Sequence, residues 1–199
     1  AGRRQMKLLW KILGFFLSVA LLSGTIVTVF FFLGRAGEEA MRAAQRASHP
    51  LAYPELVDKA AADYDVPRAV IYAVMRTESG FSADAVSRAG ARGLMQLMPA
   101  TYEWLCALRG QDYAPDALFD PAVNIDAGVY LLAYLYRQLS DWEAVYAAYN
   151  AGIGRVKGWL SDPAYAKDGH LSEIPIAETA EYVKRCRTAR YHYIHLWGI

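Results

Sequence analysis

The sequence predicts an all-α domain preceded by a single transmembrane helix. Three observations carry that prediction. An uncharged apolar run lies near the N-terminus, helical apolar spacing with proline starts and glycine stops fills the rest, and strand signals are scarce.

The run from Ile12 to Gly34 holds 23 residues and no charge. As a helix it is about 35 Å long, enough to cross a hydrocarbon core of about 30 Å. Phe15, Phe16, Leu17, Leu21, Leu22, Ile26, Val27, Val29 and Phe30–Leu33 supply its apolar bulk. A cleaved signal peptide has a shorter apolar core and a small-residue cleavage site, and no A-x-A pattern follows Leu33. Arg3, Arg4, Lys7 and Lys11 precede the run, so the positive-inside rule places the N-terminus in the cytoplasm and everything after Gly34 outside. Residues 35–52, rich in Ala, Arg and Glu and ending at His49-Pro50, read as a short stalk. The expected organisation is therefore a basic N-terminus over 1–11, a transmembrane anchor over 12–34, a stalk over 35–52 and one domain over 53–199.

Within that domain Pro54 and Pro67 sit where helices start. Pro99 opens a helix from Ala100 to Leu108. A longer helix spans Asn124 to Leu139, with Ile125, Val129, Leu132, Tyr136 and Leu139 near the i, i+4, i+7 spacing. Asp141 caps a helix through Tyr149 that Asn150-Ala151-Gly152 stops. Pro175 precedes a last helix reaching about Tyr193. No hairpin pattern, internal repeat or low-complexity tract is evident.

Charge and composition exclude several classes. The 55% hydrophobic content exceeds that of an ordinary soluble domain, and the excess lies at the N-terminus. Net charge is +1, which argues against a nucleic-acid binder. From Leu51 onward 14 Lys/Arg face 18 Asp/Glu, a net of −4. His49, His170, His192 and His195 form no H-E-x-x-H pattern, and Ser79 and Ser87 lack a G-x-S-x-G elbow. Cys106 and Cys186 fit no metal-ligand spacing; they read as helix-face thiols, with a bond between them left open by an extracytoplasmic location.

One carboxylate is out of place. In the helix from Pro67, Ile71, Val74 and Met75 form an apolar stripe, and Glu78 continues it just before Ser79-Gly80 ends the helix. Burial and the negative end of the helix both disfavour an ionised carboxylate there. A glutamate kept protonated near neutrality is what general-acid cleavage of a glycosidic bond needs. The alternative is a frayed glutamate facing solvent. Glu178, at the start of the last helix with Tyr182 one turn on, would be held ionised by the dipole; the alternative is an ordinary helix-start acid. Gln96, in the apolar run Leu94–Pro99, wants a polar partner from the protein or a sugar. Tyr149-Asn150 places an aromatic face and an amide at a helix end, a pairing that suits carbohydrate. Against that, Tyr149 and Met98 would serve equally as core and Asn150 as a helix cap.

Four segments in register carry a resemblance. Glu78-Ser79, Gly93-Leu94-Met95-Gln96-Leu97-Met98-Pro99, Ala147-Ala148-Tyr149-Asn150-Ala151-Gly152 and Glu178-Thr179-Ala180-Glu181-Tyr182-Val183 resemble the Slt-type lytic transglycosylases of the goose-type lysozyme-like superfamily, over about residues 53–193. The resemblance implies a lysozyme-like, all-α catalytic domain with a deep groove, peptidoglycan glycan strands as substrate, and no metal or other cofactor. It implies that Glu78 protonates the bond between N-acetylmuramic acid and N-acetylglucosamine, then takes the proton of the muramoyl C6 hydroxyl as that oxygen attacks C1. The product is a 1,6-anhydromuramoyl end, formed without net water. By the same resemblance Ser87, Gln96, Met98 and Tyr149 line the groove, and Asn150, Glu178 and Tyr182 help hold the sugar. Two other readings remain open: a hydrolytic muramidase using a second acid such as Asp84, and a membrane-anchored wall-binding protein without activity.

Overall fold

The computed structural model describes residues 2–199, which fall into two compact units divided between residues 48 and 49. The first unit is one helix, α1 (Gly2–Ser48). The expected stalk is thus helical as far as Ser48. The side chains of Phe15, Phe16, Leu17, Leu21, Leu22, Ile26, Val27 and Val29, on which the anchor expectation rests, lie outside the described residues, as do those of Arg4 and Lys7. Among the described residues, no helix is long and apolar enough to cross a membrane. Phe30, Phe31, Phe32 and Leu33 are each more than half exposed, four apolar side chains in succession.

The second unit begins at His49. Its helices are α2 (Pro54–Tyr64), α3 (Arg68–Ser79), α4 (Pro99–Arg109), α5 (Pro121–Leu139), α6 (Trp142–Ala151), α7 (Ile153–Leu160) and α8 (Ala177–Trp197). Pro54 and Pro99 occupy first turns, Pro67 precedes α3 as its cap, and Gly80 and Gly152 cap helix ends with positive φ, as the sequence predicts; Pro121, Gly110 and Gly198 mark three further helix ends that were not anticipated from the sequence.

Several elements differ from the expectation. The long helix starts at Pro121, not Asn124, because Asp120 accepts the Ala122 and Val123 amides as its cap. The helix after Asp141 runs through Asn150 to Ala151, so Asn150 is inside the helix and Gly152 is the cap. A 3₁₀ turn at Pro115–Phe119 and the short helix α7 were not anticipated. The last helix continues one turn past Tyr193, and its Trp197 Nε1 donates to the His49 carbonyl at 2.9 Å. A small hairpin is present after all. β1 (Ala166–Lys167) and β2 (His170–Leu171) pair antiparallel across Asp168-Gly169, both at positive φ. That is the Asp-Gly signature of a two-residue primed turn, and it is legible in the sequence. Cys106 and Cys186 are both free and buried, one on α4 and one on α8.

The core is built around α3. Every residue from Ala69 to Met75 is at most 1% exposed, so this helix has no wet face and not merely the stripe of Ile71, Val74 and Met75. α8 packs along it with the stripe Thr179, Tyr182, Val183, Cys186 and Ala189 at helical spacing. α6 lies against α8, α5 and α7, and α2 against α5.

Between α3 and α4 the chain makes an irregular loop closed by one buried amide. Asn124 on α5 is fully buried; its Oδ1 accepts the Met95 amide at 2.7 Å, and its Nδ2 donates to the carbonyls of Leu118 at 2.8 Å and Arg92 at 3.0 Å. Gly93 sits against this knot at φ +75°, where a Cβ would fall 2.3 Å from both Asn124 Nδ2 and the Leu118 carbonyl. Substituting Asn124→Leu would leave the Met95 amide and the Leu118 carbonyl without a partner, while the Arg92 carbonyl would keep the Leu97 amide. Each unsatisfied buried group costs about 1–3 kcal/mol. The full chain in detergent should lose several kcal/mol of stability in thermal or denaturant unfolding followed by circular dichroism. A change within 0.5 kcal/mol would show the knot to be dispensable.

Candidate active site

Glu78 emerges where α3 leaves the core. The helix turns sharply there, with Gly80 at φ 59° and Phe81 at φ 73°. Ser79 fastens the turn: its hydroxyl donates to the Leu94 carbonyl at 2.7 Å and accepts the Phe81 amide at 3.1 Å. The end of α3 and the 91–97 loop are thereby one rigid piece, and Ser79 has a structural part that its place beside Glu78 did not reveal.

The Glu78 carboxyl is half-buried, and Oε1 accepts a hydrogen bond from the Tyr182 hydroxyl at 2.7 Å. Desolvation pushes its pKa from 4.5 up to about 7, although the Tyr182 hydrogen bond and the Arg185 charge both pull it down. Burial is the stronger effect. The same enclosure holds the phenols of Tyr182 and Tyr149 well above their ordinary range, chiefly by burial, with the nearby Glu78 charge acting in the same direction. Burial also pushes the Cys186 thiol up to about 12. Glu78, Tyr149, Tyr182 and Cys186 thus share one dry cluster in which the neutral forms are favoured.

Beside it lies a cavity of about 250 Å³, walled by Gln96, Met98, Tyr149, Trp104 and Tyr134 with aliphatic residues of α5 and α6. Met98 and Trp104 are each 39% exposed, and Trp104 meets Tyr134 edge to face at 5.1 Å. This composition, apolar and aromatic with a few polar groups, is that of a ligand pocket. Tyr149 reaches it with its hydroxyl anchored on the Met95 carbonyl at 2.8 Å. Gln96 is held at φ 48°, and its Nε2 donates to the carbonyls of Ala85 and Gly93 at 3.1 and 2.9 Å. Its amide hydrogens therefore brace the loop, and Oε1 remains as its polar atom for a ligand.

The other expected site residues are placed less centrally. The Ser87 hydroxyl accepts the Ala91 amide at 3.0 Å within a turn, and the residue does not line the cavity. Asn150 is exposed; its Oδ1 accepts from the buried Thr179 at 2.8 Å, which joins α6 to α8. Glu178 is exposed on the first turn of α8. Its neighbour Thr179 makes the inward contact instead, and Glu178 makes no hydrogen bond to Glu78 among the described residues. Asp84 is also exposed and makes none to Glu78. Sequence reasoning missed Thr179, Trp104 and Tyr134. The helical spacing from Thr179 to Tyr182 was the available signal for the first. The other two lie on separate helices and share a wall only in three dimensions. Among the described residues, no group of three or more His, Cys, Asp or Glu could hold a metal ion.

The transglycosylase SLT domain family matches residues 55–171, well over half of the chain. The chain belongs to that family. The match ends before α8, so the Tyr182 contact to Glu78 comes from beyond the matched segment. The membrane-bound lytic murein transglycosylase C of Actinobacillus pleuropneumoniae serotype 5b is 30% identical over 198 residues, covering 87% of this chain and 52% of that protein. Two solved structures share the fold at 33% identity. The 70 kDa soluble lytic transglycosylase of Escherichia coli has a TM-score of 0.72 and covers 77% of this chain and 26% of its own. The lytic transglycosylase Slt of Pseudomonas aeruginosa, solved as an inactive glutamate-to-glutamine mutant, has a TM-score of 0.67 and covers 74% and 24%. This SLT chain spans about a quarter of the soluble relatives it matches and about half of the membrane-bound one. The domain of this chain is therefore a mainly helical, lysozyme-like Slt fold.

The raised pKa of Glu78 has a consequence for stability. Below pH 4.5 the carboxyl is protonated both folded and unfolded and has no effect. Between about 4.5 and 7 the unfolded chain ionises while the folded one keeps its proton, so stability falls as pH rises and levels off above about 7. Two and a half pKa units correspond to a penalty on the order of 3 kcal/mol. Glu78→Gln should therefore be more stable than the wild type at pH 8, with the difference shrinking towards pH 4. Unfolding curves at the two pH values check this; a gain that is the same at both would contradict the burial of an ionisable group.

Proposed function

We propose that this chain is a membrane-anchored, extracytoplasmic lytic transglycosylase that cuts peptidoglycan glycan strands. The observation that carries the proposal is a desolvated carboxyl, Glu78, with pKa raised to about 7, close to Tyr149, which lines a groove whose aromatic and amide walls suit a sugar. Near that pKa a carboxyl can donate a proton in one step and recover one in the next at little cost in either direction. In the proposed reaction Glu78 protonates the oxygen leaving the muramoyl C1 as that bond breaks. The resulting carboxylate then takes the proton of the muramoyl C6 hydroxyl as that oxygen bonds to C1. The proton count closes, no water enters, and the product carries a 1,6-anhydro ring.

Tyr182 keeps its proton across the working range, so it holds the Glu78 carboxylate without competing as a base. Gln96 Oε1, Met98, Tyr149 and Trp104 bind and orient the sugar, while Asn150 ties α6 to Thr179 of α8 and Ser87 stiffens its own turn. A two-carboxylate hydrolysis would need a second acid across the scissile bond from Glu78; Asp84 and Glu178 are both exposed, and neither shares the desolvated setting of Glu78. The relative from Pseudomonas aeruginosa, inactive with glutamine in place of a glutamate, fits a mechanism resting on one carboxyl.

The anchor reading rests on the 23-residue uncharged run, the basic residues before it, the exposed apolar stretch Phe30–Leu33 and the membrane-bound relative. It divides the chain into a cytoplasmic 1–11, a span over 12–34, a stalk over 35–52 and the SLT domain over 53–199. Protease added to intact spheroplasts should digest the domain and spare the N-terminus; the reverse pattern would contradict the orientation.

Glu78→Gln should lower turnover of purified peptidoglycan by at least about 10²–10⁴-fold, the usual worth of general acid–base catalysis. Mass spectrometry should find 1,6-anhydromuropeptides from the wild type, one water lighter than reducing ends. Reducing ends alone would make the protein a hydrolase. Near-wild-type release by Glu78→Gln would remove Glu78 as the acid.

A further inference from the structure

α5 carries a buried glycine, Gly128, within its helical interior. Glycine weakens a helix interior, and Gly128 does not adopt the positive φ that would call for one. What calls for it is Met95. A Cβ at position 128 would overlap the Met95 sulfur and stand 2.9 Å from both the Cβ and the Cε of that residue. The sulfur and terminal methyl end a flexible side chain, but Met95 is fully buried in a close-packed core that gives them little room to swing aside. The Met95 Cβ moves only with the backbone. Gly128 is thus a notch in α5 that seats Met95.

The backbone seated by this notch is fastened to both halves of the site. The Met95 amide donates at 2.7 Å to Asn124, one turn before Gly128 on the same face of α5. The Met95 carbonyl accepts the Tyr149 hydroxyl at 2.8 Å, and the Leu94 carbonyl just before it accepts the Ser79 hydroxyl at 2.7 Å. Ser79 adjoins Glu78, and Tyr149 lines the aromatic groove. Two successive carbonyls therefore tie the acid-bearing end of α3 and the groove wall on α6 to one point. We infer that Gly128 and Met95 are positioning residues: by fixing the Leu94–Met95 peptide against α5 they set the spacing between Glu78 and Tyr149. The inference rests on the functional reading above, because it takes a sugar held at Tyr149 to receive its proton from Glu78.

The test is kcat and KM on solubilised glycan strands, with the full chain in detergent well below each variant's melting temperature. Relief of the Gly128→Ala clash to an ordinary 3.4 Å contact moves Met95 by about half an ångström. A misplacement of about 1 Å can cost about 10²-fold, so kcat should fall about tenfold. KM should stay within about twofold, because the groove wall moves as one piece and still binds the sugar. Met95→Ala empties the notch from the other side and should keep kcat within about threefold of the wild type. Adding Gly128→Ala to Met95→Ala should then cost little more, since the sulfur and methyl that it would strike are gone. Tyr149→Phe cuts the tie to the Met95 carbonyl without crowding the core, and it too should lower kcat with KM little changed. A folded Gly128→Ala with the wild-type kcat would overturn the inference, as would a loss that Met95→Ala does not relieve, because the clash would then act elsewhere. Tyr149→Phe with raised KM and intact kcat would make the hydroxyl a sugar ligand instead of a tie, and would overturn the inference even if Gly128→Ala does not fold. All three results presuppose an active wild type. A wild type without lytic activity would sink the functional reading and this inference with it.

Discussion

A helix without a wet face governs this domain. From Ala69 to Met75 every side chain of α3 is buried, with α8 and α2 packed against the helix and the 91–97 loop tied to its end through Ser79. The first residues past that stretch cannot reach bulk water freely, and Glu78 is among them. Its environment is then a contest of known signs. Full burial can raise a carboxyl by 3–5 units, while one hydroxyl donor and one guanidinium nearby lower it. The outcome of about 7 shows burial ahead but not unopposed. Both opposing groups, Tyr182 and Arg185, come from α8, so the packing that dries the carboxyl also tempers it.

The groove wall depends on a different kind of constraint. An irregular loop has no ladder to satisfy its backbone, and an apolar core cannot do so. Asn124 supplies three hydrogen bonds from one buried amide, Ser79 adds a bond to Leu94, and Gln96 adds two more. The cost is local strain, with Gln96 in the left-handed region and a glycine compelled at position 93. What the strain achieves is a loop as rigid as the helices beside it. The proposed sugar-binding role needs that, since a shift of one ångström at a reacting centre is expensive in rate.

Most helices were legible because their ends are written in single residues. Pro54, Pro99, Asp141, Gly80 and Gly152 mark boundaries whatever packs against them. The misses have physical reasons. α7 follows Gly152 with no polar cap, and the 3₁₀ turn at Pro115–Phe119 is too short to show a period. The hairpin's Asp168-Gly169 was readable, but strands of two residues have no alternation to support it. At the site, Glu78 stood out as a charge on an apolar stripe. Tyr182 joined it only through resemblance, since a contact across 104 residues leaves no local trace. Gln96 was rightly seen to want a partner, and its partners proved to be the loop's own carbonyls as much as any ligand.

The Tyr182 hydrogen bond also decides how one carboxyl can serve twice. It occupies Oε1 with a donor that does not ionise near neutral pH, so the carboxyl's own proton is directed to Oε2. Among the described residues, Oε2 makes no hydrogen bond to the protein, which leaves it open for the proposed substrate. The two oxygens are thereby distinguished before substrate arrives: one is held, the other gives and takes. A second carboxylate at hydrogen-bond distance would destroy that distinction, because the pair would share a proton and split into coupled titrations. A phenol avoids this. It donates to the ionised form, stays neutral through the cycle, and leaves desolvation to keep the pKa of Glu78 near the value at which protonation and deprotonation cost the same.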